Sequence, residues 1–271
     1  MAVQYCKTDG LFHEPAHLVV DGATVSYGEK TALRDVTFCV SVGTRVAVIG
    51  PNGAGKSTLF KALVGLIPLR EGSILIHGLP PGHHLDCVAY VPQREEVEWS
   101  FPVTVAEVVM MGRYGRLGWL KRPGKQDRAA VAGCLEKLNI ADLADRPIGS
   151  LSGGQQQRVF LARALVQEPH IVLMDEPFTG VDISTQETTL ALFEQLRQQQ
   201  VTVLVSTHDL NLAATRFDEV LLLNRRLVAA GPPAETLTSQ VLTEAFGGQV
   251  LFLNGAVVVD KAAHKPEQYE G

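Results

Sequence analysis

Hydrophobic and polar positions fall into short blocks along the chain. Residues 18–27 alternate as a half-buried strand does, and Tyr27-Gly28 ends the alternation. Residues 36–42 predict a second strand. A tight turn at Val42-Gly43-Thr44 leads into a third, the apolar run 45–50, and residues 59–64 then read as a helix. Residues 73–77 and 87–91 predict further strands, with Gly78, Pro80, Pro81 and Gly82 in the turns between them. From about Pro102 to Pro147 the period becomes helical. Thr104 and Glu107 form a capping box that opens a helix over 105–111. Val131, Cys134, Leu135 and Leu138 recur at three and four positions, giving one apolar helix face. Strand patterns return at 171–174 and 201–206, with a helix near 185–198 between them. Residues 218–223 and 227–230 predict closing strands, followed by two short helices near 234–246. Residues 1–16 read as a loose leader, residues 249–271 as a C-terminal extension, and the polar run 261–271 as a mobile tail. The pattern predicts an α/β domain over 17–248, with an antiparallel β subdomain first and a helical lobe, at about 95–165, inserted into the core.

Composition narrows this picture. At 271 residues and 46% hydrophobic, the chain can bury a large core as one domain with a modest lobe. The net charge of −5 opposes a nucleic-acid surface covering the whole domain. Cys6, Cys39, Cys87 and Cys134 lie far apart with no C-x-x-C pair, which predicts reduced thiols rather than a disulfide framework or zinc site. The first residues lack a signal-peptide apolar core. No apolar run approaches the ~18–20 residues of a membrane helix. The expectation is a protein soluble by itself, whose membrane connection comes through a partner.

Three motifs carry the chemistry. Gly50-Pro51-Asn52-Gly53-Ala54-Gly55-Lys56-Ser57-Thr58 matches the phosphate-binding loop and sits between a predicted strand and helix. Gly53 and Gly55 let the backbone curl and aim successive N–H groups at one anion, and the helix N-terminus adds its dipole. Lys56 can reach the β- and γ-phosphates, and Ser57 can ligate magnesium. Leu151-Ser152-Gly153-Gly154-Gln155 opens a predicted helix over 156–166 and makes a second anion cradle. Two such cradles about a hundred residues apart serve one γ-phosphate only if they come from different subunits or a repeated domain. The apolar strand 171–174 delivers Asp175 and Glu176 at its carboxyl end, where ligands bind in open α/β sheets. Asp175 would hold magnesium, and Glu176 would polarise an attacking water.

These three motifs, in this order, resemble the ATPase subunit of an ABC transporter, over roughly residues 18–245. The resemblance implies a P-loop NTPase (RecA-like) core that binds ATP and Mg2+. It implies further roles position by position. Tyr27 is similar to the aromatic that stacks on adenine, and Gln93 to the glutamine that touches magnesium and senses the membrane partner. Asp182 is similar to the aspartate that acts across a dimer, and His208 to the switch histidine at the γ-phosphate. The implied mechanism is an ATP sandwich. Two copies pair head to tail, with nucleotide between Lys56 of one and Ser152 of the other, and Glu176 and His208 place the water.

Residues 99–119 with Arg122-Pro123, and residues 175–182, resemble the manganese, zinc and iron importers. That resemblance implies an integral-membrane permease, an extracytoplasmic metal-binding protein as an indirect partner, no nucleic acid, and a peripheral position on the cytoplasmic face of the inner membrane. Trp99, Phe101, Met110, Met111 and Tyr114 are candidates for a groove that takes a short helix of the permease, with Arg113 beside them. His77, His83 and His84 lie in a Pro/Gly-rich turn, which predicts exposure rather than metal ligation. Importers of metal chelates share the same engine and are the first alternative. An ABC ATPase acting on ribosomes or DNA is opposed by the single cassette and the absence of a long heptad run. Glu176 and His208 oppose a nucleotide-binding module without turnover.

Overall fold

The computed structural model describes residues 5–8, 11–83, 87–117, 122–247, 250–253 and 256–259. Strands β1 (Tyr5–Thr8), β2 (Leu11–Tyr27) and β3 (Lys30–Ser41) pair antiparallel in that order. The chain then enters β4 (Arg45–Ile49) and α1 (Lys56–Leu63), and returns through β5 (Glu71–Ile76), which pairs with β2. β6 (Val88–Val91) precedes the helical lobe: α2 (Val105–Met111), α3 (Tyr114–Leu117), α4 (Lys125–Lys137) and α5 (Gly153–Leu165). The core resumes with β7 (Ile171–Asp175), α6 (Ile183–Gln198), β8 (Thr202–Thr207), α7 (Leu210–Arg216) and the pair β9 (Glu219–Leu223) and β10 (Leu227–Gly231). Helices α8 (Pro233–Thr236) and α9 (Ser239–Phe246) follow, then the hairpin β11 (Val250–Leu253) and β12 (Ala256–Val259).

The second sheet runs β10-β9-β4-β8-β7-β6, parallel throughout except for β10. Every residue of β7 and β8 is buried, as expected of parallel strands covered on both faces. Their alternate residues divide between two cores. Ala47, Ile49, Val172, Met174, Val203 and Val205 face the helical lobe and α6. Val46, Val48, Ile171, Leu173 and Leu204 face α1 and the antiparallel sheet. The carboxyl ends of β4, β6, β7, β8 and β9 therefore share one edge of the sheet, and the loops leaving them build the site.

The lobe follows its sequence. Thr104 N–H and Glu107 Oε2 meet at 2.8 Å, and Glu107 N–H donates to Thr104 Oγ1 at 3.3 Å, completing the capping box. Val131, Leu135 and Leu138 are buried, with Cys134 half-buried beside them. Gly112 lets the end of α2 meet α5, since a Cβ there would stand 2.2 Å from the Arg163 carbonyl oxygen.

Three expectations need correction. The expected loose leader, residues 1–16, instead contains β1 and the first turn of pairing in β2. The two strands pair antiparallel, Lys7 opposite Phe12 and Thr8 opposite Leu11. Cys39 is disulfide-bonded, against the expectation of four reduced thiols. Helix α5 starts at Gly153 rather than 156, because Ser152 caps it. His84, Trp119 and residues 261–271 lie outside the described residues.

Candidate functional site

The loop after β4 curls as its glycines predict. Gly53 and Gly55 have φ of +78 and +98. A Cβ on Gly50 would lie 2.1 Å from the Leu223 carbonyl oxygen, and one on Gly55 would lie 2.4 Å from Leu33 Cδ2. The loop is thus pressed against β9 on one side and β3 on the other, and only glycine fits at either contact. Lys56, the first residue of α1, is buried, and its Nζ donates to the Gly50 carbonyl at 2.8 Å and to that of Pro51 at 3.4 Å. Burial pulls its pKa down, partly opposed by Glu176 and Asp175.

Asp175 ends β7 and is 1% exposed. Its Oδ1 accepts from Ser206 Oγ at 2.5 Å. Its Oδ2 is buried and has no well-formed hydrogen bond among the described residues. Burial raises its pKa, outweighing the Ser206 and Ser57 hydroxyls that favour the charged form. A buried carboxylate oxygen left over beside the Ser57 hydroxyl is the donor set a hard oxygen-seeking cation such as Mg2+ takes, and the residues present fit one.

Glu176 adopts φ +47, and its N–H is held by Ser206 Oγ at 2.8 Å. Its carboxylate lies between two nitrogens, with Lys56 Nζ 3.9 Å from Oε1 and His208 Nδ1 3.8 Å from Oε2. The Thr179 hydroxyl donates to Oε2 at 3.2 Å. His208 follows β8 and is half-exposed.

A cleft of about 640 Å3 gathers Tyr27, residues 52–58, Gln93 and Glu176. Tyr27 is 51% exposed at the rim, its hydroxyl 3.4 Å from Thr58 Oγ1. An exposed aromatic ring at the rim of this cleft offers a stacking platform. A smaller recess of about 200 Å3 joins Glu176 to Thr179 and His208. Ser152–Gln155 and Asp182 do not line the cleft. They stand together instead, since a Cβ on Gly154 would be 3.6 Å from Asp182 Oδ2. Gln155 N–H donates to Ser152 Oγ at 3.4 Å, and Ser152 N–H to Gln155 Oε1 at 2.9 Å, so the start of α5 is capped and presented as one unit. Asp182 caps α6, accepting from the Ser184 hydroxyl and from Thr185 N–H, and these bonds push its pKa well down.

Two residues of the site have no sequence signal. Ser206 faces Asp175 because β7 and β8 pair in parallel with these residues in register. Arg225 lines the cleft from the β9–β10 turn, and its N–H donates to the Ala54 carbonyl at 2.8 Å.

The expected partner groove is divided. Phe101, Met111 and Tyr114 are exposed, at 59%, 39% and 52%. Trp99 instead packs on Phe160, ring centroids 5.0 Å apart, and Met110 joins the core. Arg113, expected at the partner surface, turns inward to Asp127 at 3.1 Å and the Val166 carbonyl at 3.1 Å. No helix among the described residues is long and apolar enough to cross a membrane.

Known proteins are similar to this chain in sequence and in fold. The family model described as ABC transporter matches residues 33–179. The zinc transport system ATP-binding protein TroB of Treponema pallidum is 48% identical over 85% of this chain and 87% of its own. The manganese transport system ATP-binding protein MntB of Bacillus subtilis is 46% identical over 89% of this chain and 96% of its own. Among solved structures, an inward-facing ABC transporter assigned to the metal-chelate type superimposes with a TM-score of 0.77 at 30% identity, covering 90% of this chain and 95% of that one. An ATP-binding cassette of another ABC transporter gives 0.75 at 25% identity, over 85% and 98%.

Proposed function

The chain belongs to the ABC transporter family, and from that premise we propose that it is the ATP-hydrolysing subunit of an importer for manganese, zinc or iron, working through an integral-membrane permease. The observation that carries the reading is the meeting of Lys56, Asp175, Glu176 and His208 at the carboxyl ends of three adjacent parallel strands. Nucleotide lies in the cleft with its adenine against Tyr27 and its phosphates in the loop. Lys56 exchanges the Gly50 carbonyl for phosphate oxygens. Ser57, Asp175 and Gln93 would hold Mg2+. Bound there, the ion would neutralise charge on the β- and γ-phosphates. Glu176 orients and polarises the attacking water, and His208 lies across the same recess to meet the γ-phosphate.

Ser152–Gln155 and Asp182 stand outside the cleft as a capped, exposed helix start. This supports a second copy completing each site, in a head-to-tail pair sandwiching two nucleotides. The permease would bind the exposed Phe101, Met111 and Tyr114, from the cytoplasmic face, with an extracytoplasmic metal-binding protein delivering the ion on the other side.

Glu176→Gln should bind ATP, pair stably and lose turnover by at least about 10²-fold, the usual contribution of a positioned base. Turnover near the parent rate would remove Glu176 from this role. The import reading is tested by co-purifying the chain with its permease and measuring ATP-driven uptake of radiolabelled manganese, zinc and iron into vesicles. Uptake of a divalent ion that vanishes in Lys56→Ala supports it. The likeness to a metal-chelate type transporter favours a second reading, and chelate uptake without free-ion uptake would replace the first with it. Co-purification with ribosomes or DNA and no permease would sink both.

A further inference from the structure

Three histidines outside the nucleotide site meet at the opposite edge of the parallel sheet. His17 lies in β2, His77 follows β5, and His170 immediately precedes β7. His77 Nε2 is 3.1 Å from His17 Nε2 and 3.0 Å from His170 Nδ1. The ligand atoms of all three rings fall within 4.8 Å of one another.

Hydrogen bonding to Thr202 orients the His17 ring. Thr202 Oγ1 has one proton and two lone pairs. It donates to the Ser41 carbonyl at 3.2 Å and accepts from Gly43 N–H at 3.0 Å. Its remaining contact, 2.7 Å to His17 Nδ1, is satisfied when the histidine donates. His17 is 2% exposed, enclosed between Thr202 and the other two histidines. A neutral ring protonated at Nδ1 presents a bare Nε2 lone pair to His77.

Three neutral imidazoles cannot give each of these contacts its own proton. A neutral His77 offers at Nε2 either one proton or one lone pair, yet two ring nitrogens approach that atom. If it donates to His17, the contact to His170 has no proton to share. If it accepts from His170, two lone pairs face each other across 3.1 Å. One cation among the three nitrogens satisfies all of them. Metal–nitrogen bonds of about 2.0–2.1 Å at tetrahedral angles put ligand nitrogens roughly 3.3–3.4 Å apart, so both His77 contacts already stand within tenths of an ångström of that spacing, and His17 and His170 close by at most about 1.5 Å to reach it. The His17 Nδ1–H bond to Thr202 is the kind of outer hydrogen bond that orients metal-bound imidazoles. Three imidazoles favour a borderline-soft ion, whereas Mg2+ and Mn2+ prefer oxygen.

We propose that His17, His77 and His170 form a zinc(II) site, separate from the magnesium-type site in the nucleotide cleft, that clamps the antiparallel sheet to the amino ends of β7 and β8. A water takes the fourth position. His17 and His77 belong to the antiparallel sheet, while His170 and Thr202 stand at the starts of the two strands that deliver Asp175 and His208. The ion therefore ties down the ends of β7 and β8 remote from the chemistry.

The full chain, stripped of metal by a chelator, is equilibrated without nucleotide in excess Mg2+ and increasing Zn2+, and bound zinc is counted after gel filtration. Cobalt(II) is substituted to read geometry from its visible absorption. The expected result is one zinc per chain, a tetrahedral cobalt spectrum and an unfolding temperature raised by zinc but not by Mn2+. His77→Gln and His170→Gln, both at exposed positions, should each weaken zinc binding by more than about ten-fold, retain ATP binding and lose the thermal shift. No stoichiometric zinc in the parent, or binding unchanged in both variants, overturns the site. The parent's stoichiometry and cobalt spectrum decide the question even where a variant fails to fold.

Discussion

Glu176 holds a backbone conformation that costs a non-glycine residue about 1–3 kcal/mol, and Ser206 is what holds it there. The same hydroxyl donates to Asp175, so one small side chain sets both carboxylates. Ser206→Ala leaves a buried N–H and a carboxylate oxygen without their shared partner. It should destabilise the fold by about 1–3 kcal/mol in urea unfolding and slow turnover by more than about ten-fold, with ATP affinity little changed. Turnover at the parent rate would show that the hydroxyl does not position Glu176. At the other end of the nucleotide, Tyr27→Phe should keep ATP affinity, and Tyr27→Ala should lose about ten-fold, since stacking on a base is worth about 1–3 kcal/mol. Equal affinity in both variants would exclude stacking. The loop, the Asp175-Glu176 pair and Ser152–Gln155 were legible because each is a contiguous run whose chemistry survives without the fold. Ser206 and Arg225 were not, because their roles come from strand register and a distant turn. The same holds for His17 and His170, which nothing in the sequence joins to His77.

Arg45 shows how elements are locked rather than merely packed. It opens β4, and its guanidinium grips Asp218 through Nε at 3.0 Å and Nη2 at 2.7 Å, while Nη1 reaches Glu194 of α6 at 2.9 Å. These contacts hold both carboxyls below the usual range, Glu194 to about 2, with its bond to Arg197 the larger cause there. For carboxyls depressed by folding, stability is present above their unfolded pKa and fades as pH falls through the folded value. Arg45→Met should therefore cost about 1 kcal/mol near neutral pH, modest because the pair is partly exposed. The difference from the parent should shrink below about pH 4. A gap that stays constant from pH 7 to pH 3 in denaturant titrations would assign it to packing instead. Arg94 makes a comparable link, its Nε donating to Gln156 Oε1 at 3.1 Å and so joining the segment after Gln93 to α5. The elements of the lobe were readable from period and capping. The inward turn of Arg113 was not, because its partners Asp127 and Glu168 lie on segments that only packing brings together.

Across the whole molecule, the parallel sheet separates two hydrophobic cores, one beneath the helical lobe and one beneath the antiparallel sheet. The exposed apolar side chains of the lobe lie at Phe101, Met111 and Tyr114, away from both. Phe101→Ala together with Tyr114→Ala should leave ATP hydrolysis by the isolated chain near the parent rate and reduce ATP-driven uptake by the assembled complex several-fold. Uptake at the parent rate would move the docking surface elsewhere. Lys56 has one more consequence. Its ammonium already rests on the Gly50 and Pro51 carbonyls, so ATP does not meet a floppy loop awaiting order. It enters as a competitor in an exchange, replacing two internal acceptors with its own oxygens. The loop is preorganised by the residue that will later grip the phosphate, so little conformational entropy is lost on binding. The measured affinity is then the difference between two sets of contacts of the same lysine.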